Sequence, residues 1–288
     1  MYSSNMDYYR ATSLNDAIQV LGKNKGAKLL AGGHSLIPAM KLRVANPPML
    51  VDIGHIKNLS GIKVTKKEVK IGALTTHATV AASAELKEAC PILAEAAAQI
   101  ADPQVRNRGT IGGSLANADP ASDYPTLITA LDATLTVTGP KGERQIEARK
   151  FFKDLFTTAL KRDEILTSIT VPAYGNLPGM GSAYLKHRHP ASSYAVVGVA
   201  AMIGLENGKM TRAVVVVGGA TANPNHAKAV ESALKGMEPT EENIAAATNQ
   251  MDIEATLGDP YASADYRAHL AKVMTKRALL LAAERAGG

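Results

Sequence analysis

Two glycine pairs constrain this chain more than any other feature. One lies in "LLAGGHSL", residues 29–36, at the end of an apolar run. The other lies in "RGTIGGSLANADPASDYP", residues 108–125, which also holds three small hydroxyl residues and two aspartates. Bulk packing does not require so many small residues in one place. A glycine pair followed by Ser or Thr lets the backbone approach an anion closely and aim several N–H groups at it, and the hydroxyls of Ser35, Thr110 and Ser114 can add donors. One such loop is most often a plain turn. Two of them can clamp a pyrophosphate from both sides. Neither ends in Gly-Lys-Ser/Thr, so neither is a P-loop, and neither fits G-x-G-x-x-G in a strand–helix context, which disfavours a nicotinamide-type Rossmann site.

The stretches around these pairs set the expected organisation. "SLNDAIQVLGK" has Leu14, Ala17, Ile18 and Leu21 at helical spacing, with Ser13 as N-cap and Asp16 as a weak capping-box partner. "AKLLAGG" and "PPMLVDIG" read as buried strands joined through "SLIPAMKLRVA", so residues 1–55 are expected to form a small α/β unit. From Gly61 the pattern alternates around a Lys-Lys turn, a hairpin. "PILAEAAAQIAD" reads as a helix stopped at Asp102-Pro103, and "DYPTLITALDA" as a second helix with Ser122 as cap and Pro125 in its first turn. "ATLTVTGPKGERQIEA" is a further hairpin and "EILTSITVPA" a strand, completing a second unit over 56–176. The glycine- and proline-rich "YGNLPGMGS" is the linker candidate. Beyond it, Asn207-Gly208 joins two apolar strands and three helices follow, giving a third unit over 177–288. The expected class is α+β.

Composition narrows the chemistry. The only cysteine among 288 residues is Cys90, which forbids an internal disulfide, a cysteine-ligated zinc and an iron–sulfur cluster held by this chain alone. Redox chemistry here needs an organic cofactor. The net charge of +6 invites a nucleic-acid reading, but the Lys and Arg are scattered, Trp is absent and aromatics make up only 4%, so no nucleic-acid partner is expected. No apolar stretch is long enough to span a bilayer, and "MYSSNMDYYR" lacks the basic segment and apolar run of a secretory signal. A cytoplasmic protein is expected. His187 and His189 lie i,i+2 on one strand face with no third ligand nearby, so no metal site is expected. Arg106 and Arg108 beside the second loop face either a phosphate, a partner's acidic patch or solvent.

"AGGHSLIPAMKLR" together with "IADPQVRNRGTIGGSLANADPASDYP" resembles the FAD-binding medium subunits of the molybdenum hydroxylases, the family of aerobic carbon monoxide dehydrogenase, xanthine dehydrogenase and aldehyde oxidoreductases. The resemblance covers essentially the whole chain and is nearest to the carbon monoxide dehydrogenase-type medium chain. It implies a PCMH/vanillyl-alcohol-oxidase-type FAD-binding fold of two α/β subdomains, followed by a C-terminal domain with an antiparallel sheet and helices. It also implies an electron-transfer subunit of a molybdenum hydroxylase. Its partners would be an iron–sulfur small subunit carrying [2Fe–2S] clusters and a molybdopterin-binding large subunit, assembled as a dimer of heterotrimers. Carried over position by position, the first dinucleotide loop is Leu29, Leu30, Ala31, Gly32, Gly33, His34, Ser35 and Leu36. The second is Thr110, Ile111, Gly112, Gly113 and Ser114, the last standing where many relatives have Asn. Asp123 matches an acidic FAD contact, Ile100 and Leu166 two apolar contacts, Lys186 a cationic one, and Tyr194 an aromatic position near the flavin ring.

Each residue also has a plainer role. Asp123 suits the first turn of a helix, Lys186 a solvated strand face, and Tyr194 a core or interface. No residue is expected to be catalytic toward an organic substrate, because the resemblance puts substrate chemistry in the large subunit. "KHRHPASSYA" departs from the carbon monoxide dehydrogenase pattern of Lys/Arg followed by Gly-Asp and an aromatic, which weakens carbon monoxide as the substrate. Two other readings stay open: a stand-alone PCMH-fold oxidase with covalent flavin at His34, and a scaffold subunit without flavin.

Overall fold

The computed structural model describes residues 2–253 and 256–287. Its first unit is a parallel three-stranded sheet ordered β1 (Asp7–Arg10), β3 (Met49–Asp52), β2 (Lys28–Leu30), with helices α1 (Leu14–Lys23) and α2 (Leu36–Lys41). Ser13 caps α1 by accepting from the Asp16 amide. Asp16 does not complete a reciprocal box: its carboxylate accepts from the Thr12 amide at 2.8 Å and from the Tyr9 hydroxyl at 2.9 Å. Strand β1 has no sequence signature, because all four of its residues are exposed and nothing alternates.

The second unit is a five-stranded antiparallel sheet ordered β4 (Ile62–Val64), β5 (Glu68–Gly72), β10 (Ile165–Pro172), β6 (Thr134–Gly139), β7 (Gly142–Glu147). Between β5 and β6 run α3 (His77–Ala82), α4 (Ala84–Ala89), α5 (Pro91–Ala98), α6 (Pro103–Arg106), α7 (Ile111–Asn117) and α8 (Asp123–Ala130). Thr76, Ser83, Asp102 and Thr110 start α3, α4, α6 and α7 with side-chain caps. After β7 come a single turn, α9 (Ala148–Phe151), and the small pair β8 (Phe152–Asp154) and β9 (Thr157–Thr158). The expected linker is not loose. Tyr174 is buried and its amide donates to the Ala89 carbonyl, while Gly175 sits so close to the Glu88 carbonyl that a side chain would collide with it.

The third unit is an antiparallel sheet of β11 (Met180–Arg188), β12 (Ala195–Glu206), β13 (Lys209–Gly218) and β14 (Asn225–His226), with helices α10 (Lys228–Leu234), α11 (Glu241–Asn249) and α12 (Ala264–Gly287). The β12–β13 turn has positive φ at both Asn207 and Gly208, as the Asn-Gly pair demands. β12 carries no polar side chain from Ala195 to Leu205 because both faces are covered. Ala200 and Met202 join the core of the second unit, while Val199, Ala201 and Ile203 join the core under α12. Every residue of α8 is buried, and at Gly218 a side chain would collide with Thr126 of that helix. Asp123, the first residue of α8, is thereby fixed between the second and third units.

Candidate functional site

A crevice of about 760 Å³ opens where the three units meet. One wall is the segment after β2. Gly33 has φ +75°, a left-handed conformation that glycine adopts freely. The amides of Gly32, Gly33, His34 and Ser35 donate to no protein acceptor among the described residues. Unengaged amides beside a crevice are donors awaiting an anion. His34 Nδ1 lies 2.9 Å from the Gly32 carbonyl, which only accepts, so Nδ1 carries the proton in the neutral ring.

The second glycine segment is built differently. "TIGGS" is not an open loop but the start of α7, and its amides are engaged. Ile111 donates to Thr75 O at 3.0 Å, Gly112 to Ala73 O at 2.8 Å, Gly113 to Thr110 Oγ1 at 3.1 Å and Ser114 to Thr110 O at 3.0 Å. Gly112 is bare because a Cβ there would sit 2.6 Å from the Ala73 carbonyl oxygen. The expectation that this pair also offers free N–H groups is therefore corrected. The pair lets the helix press onto the sheet and leaves Thr110, Gly113 and Ser114 facing the crevice. The two segments touch: a side chain at Gly32 would collide with the Arg108 carbonyl.

Of the remaining expected contacts, Leu29, Leu30, Ala31, Leu36, Ile100, Leu166, Asp123 and Tyr194 line the crevice. Ile111 does not, being fully buried in the core of the second unit. Lys186 does not line it either. Its side chain has 0% exposure and its Nζ is bound to Asp123 and to the Ser193 carbonyl. Burial raises the pKa of Asp123 and lowers that of Lys186, while each charge offsets the effect on the other. Arg106 is half-buried, and its Nη1 donates to the carbonyls of Ile100 and Ala101, holding a turn in which Ala101 has positive φ. His187 and His189 face Tyr266 and Tyr261, and no group of three potential metal ligands occurs among the described residues.

Sequence reasoning missed several residues that the fold brings to the crevice. His77, the first residue of α3, is 5% exposed, packs 5.4 Å from the Tyr124 ring, and has a buried Nδ1 without a partner. Burial, reinforced by the charges of His34 and Arg106, pushes its pKa down to about 4, so the ring is neutral at pH 7. The one available signal is "TTH" shortly after a strand ending in glycine. Lys161 and Arg162 bring cations to the rim, and Arg162 also donates to the Gly22 carbonyl at 3.2 Å. Nothing in their charged, loop-like context separates them from solvated residues.

These residues suit FAD. Four free amides and nearby cations match a pyrophosphate, and Leu29, Ile100 and Leu166 match a planar apolar ring system.

Comparison with known proteins agrees. Residues 4–174 match the family model described as the FAD binding domain in molybdopterin dehydrogenase. Residues 182–282 match the CO dehydrogenase flavoprotein C-terminal domain. The chain is 36% identical to the glyceraldehyde dehydrogenase medium chain of Sulfolobus acidocaldarius over 96% of this chain and 98% of that one. Among solved structures it is similar to carbon monoxide dehydrogenase from Hydrogenophaga pseudoflava, with a TM-score of 0.94 and 38% identity, covering 99% of each chain. It is also similar to quinoline 2-oxidoreductase from Pseudomonas putida, with a TM-score of 0.93 and 30% identity, covering 99% of each chain. The chain belongs to the FAD-binding medium subunits of the molybdenum hydroxylases and is the flavoprotein subunit of an oxidoreductase.

Proposed function

We propose that this chain is the electron-transfer subunit of a heterotrimeric-type molybdenum hydroxylase, working in the cytoplasm as part of a dimer of heterotrimers. Its partners are an iron–sulfur small subunit and a molybdopterin-binding large subunit. Bound in the crevice, FAD supplies redox chemistry in one- or two-electron steps, accepting electrons from [2Fe–2S] clusters of a partner and delivering them to an external acceptor. The observation that carries this reading is a crevice that combines unengaged amides with an apolar wall.

The division of work follows from the residues. Gly32 to Ser35 hold the pyrophosphate through their N–H groups. Thr110, Gly113 and Ser114 face it from the opposite wall, while Ile100 and Leu166 bound the ring system and exclude water. His77, neutral and buried, offers hydrogen bonds without adding a charge. The three units over 1–55, 56–176 and 177–288 supply the two walls and the cover. Substrate choice lies in the large subunit. Purifying the native protein and identifying co-purifying chains by mass spectrometry tests the reading. Partners with iron–sulfur and molybdopterin signatures are expected, with a flavin spectrum whose chromophore stays in solution after acid precipitation. A colourless preparation or the lack of a molybdenum-binding partner would sink the reading, and yellow precipitated protein would point to covalent flavin at His34.

A further inference from the structure

Tyr184 and Lys186 are two residues apart on β11 and therefore share one face of the strand. That face meets the start of α8. The Tyr184 hydroxyl donates to Asp123 Oδ1 at 2.6 Å, in space left free by Gly198, where a Cβ would lie 2.5 Å from the same hydroxyl. Lys186 Nζ lies 2.9 Å from Asp123 Oδ1, 3.0 Å from Oδ2 and 2.9 Å from the Ser193 carbonyl. Its hydrogen bonds go to Asp123 Oδ2 and the Ser193 carbonyl, with Asp123 Oδ1 in ion-pair contact, and its side chain has no exposure and is absent from the crevice lining.

Ser193 belongs to the crossing between β11 and β12. The crossing is closed by Ser193 N–H donating to His189 O at 2.9 Å and His189 N–H donating to Tyr194 O at 2.8 Å, and Ser193 has φ +60°. A serine in this left-handed conformation needs support from its surroundings. Directly after it, Tyr194 lines the crevice together with Ser35 of the first glycine segment.

We propose that Lys186 and Asp123 are positioning residues, a buried strut that pins the Ser193 carbonyl and so seats Tyr194 across the crevice as its cover. This rests on the reading of the crevice as an FAD site. It differs from a lysine placed beside the flavin as a charge partner. A strut acts through the backbone of residue 193 and needs no contact with the cofactor.

The test uses the full-length protein, with and without FAD. Lys186→Met alone strands the Asp123 charge in the interior and can unfold the chain, so the decisive variant is the charge-neutral pair Asp123→Asn with Lys186→Met. In FAD-free protein, amide hydrogen exchange across residues 189–195 is expected to speed up about tenfold, the effect of losing one charge-assisted hydrogen bond, with exchange in β12 unchanged. In loaded protein, FAD dissociation is expected to speed up about tenfold, Tyr194→Ala to match it, and all three substitutions together to add nothing further. Unchanged exchange at 189–195 overturns the proposal. So does a lowered flavin reduction potential in folded Lys186→Met with normal exchange, since that makes the lysine a direct charge partner of the cofactor. If wild-type protein takes up no FAD, the crevice reading fails, and the exchange experiment still decides whether the strut holds the crossing.

Discussion

The two glycine pairs look alike in the sequence and do opposite work. At Gly32-Gly33 the backbone turns through a left-handed residue, and the amides of residues 32–35 have no protein acceptor among the described residues. At Gly112-Gly113 the backbone is helical, each amide is engaged, and the missing side chains let α7 lie against Ala73 and Thr110. One pair leaves its N–H groups unengaged beside the crevice and the other spends them on the protein. Small residues thus signal close approach without saying what approaches, and only the destinations of the N–H groups decide between ligand and neighbour.

The position where both roles coincide gives the largest expected effect. At Gly32 a Cβ would collide with the carbonyl of Arg108, which is backbone and cannot swing aside. Gly32→Ala is expected to push the segments apart, lowering stability by about 3 kcal/mol and abolishing FAD retention. Thermal melting of the FAD-free protein and flavin content after gel filtration check both halves. A variant that melts normally yet loses FAD would mean that the contact between the segments carries no stability.

Acid is expected to have an effect of similar size beneath the second pair. The edge of His77 packs on Gly109, where a Cβ would lie 2.6 Å from Nε2. The neutral ring has a pKa of about 4 in the fold against about 6.5 in the unfolded chain. The unfolded chain therefore binds the proton more readily, and stability present above about pH 6.5 is lost as pH falls toward about 4. The difference corresponds to roughly 3 kcal/mol. In denaturant titrations of FAD-free protein across this range, His77→Gln is expected to remove that part of the pH dependence. An unaltered slope would show that the ring is accessible to protons in the native state.

How much of this was legible beforehand depends on what kind of signal each element leaves. Helices with an amphipathic stripe and a cap, such as α1, and the Asn207-Gly208 hairpin carry their own local instructions, and they stand where expected. β1 leaves no trace because it is exposed at all four positions and its pairing with β3 rests on the backbone and a Tyr8–Asp52 hydrogen bond that no apolar pattern announces. α7 hides because glycine argues against helix, and only the tertiary contact with Ala73 explains its presence there. In the site, the crevice-lining loops are visible from composition. The engagement of Lys186 by Ser193 is not, since it depends on a turn folding back across seven residues. His77 is hidden for the same reason: the burial that keeps it neutral is supplied by Tyr124 and Gly109, far along the chain.

A moderate effect is expected from exchanging the two kinds of glycine. Gly112→Ala places a methyl against the Ala73 backbone and is expected to lower the stability of FAD-free protein by about 2 kcal/mol. Gly33→Ala forces φ +75° on alanine and is expected to lower stability by about 1 kcal/mol. FAD affinity should rank the other way, with Gly33→Ala weakening it about tenfold and Gly112→Ala leaving it within about threefold, because only the first displaces unengaged amides. Affinities in the same order as the stabilities would erase the distinction between the two pairs.

The smallest effects separate the two hydroxyls of the second pair. The Thr110 hydroxyl accepts from the Gly113 amide and caps α7, whereas the Ser114 hydroxyl has no protein partner among the described residues although Ser114 lines the crevice. Thr110→Val keeps the branched shape and removes the cap. It should lower stability by about 1 kcal/mol while FAD affinity changes less than about threefold. Ser114→Ala should leave the melting curve unchanged, within about 0.5 kcal/mol, and weaken FAD by about threefold to tenfold through the loss of a single hydrogen bond. If Ser114→Ala leaves FAD affinity untouched, no hydroxyl of the second pair reaches the cofactor. The first pair alone would then hold the pyrophosphate, and α7 would be a purely structural wall.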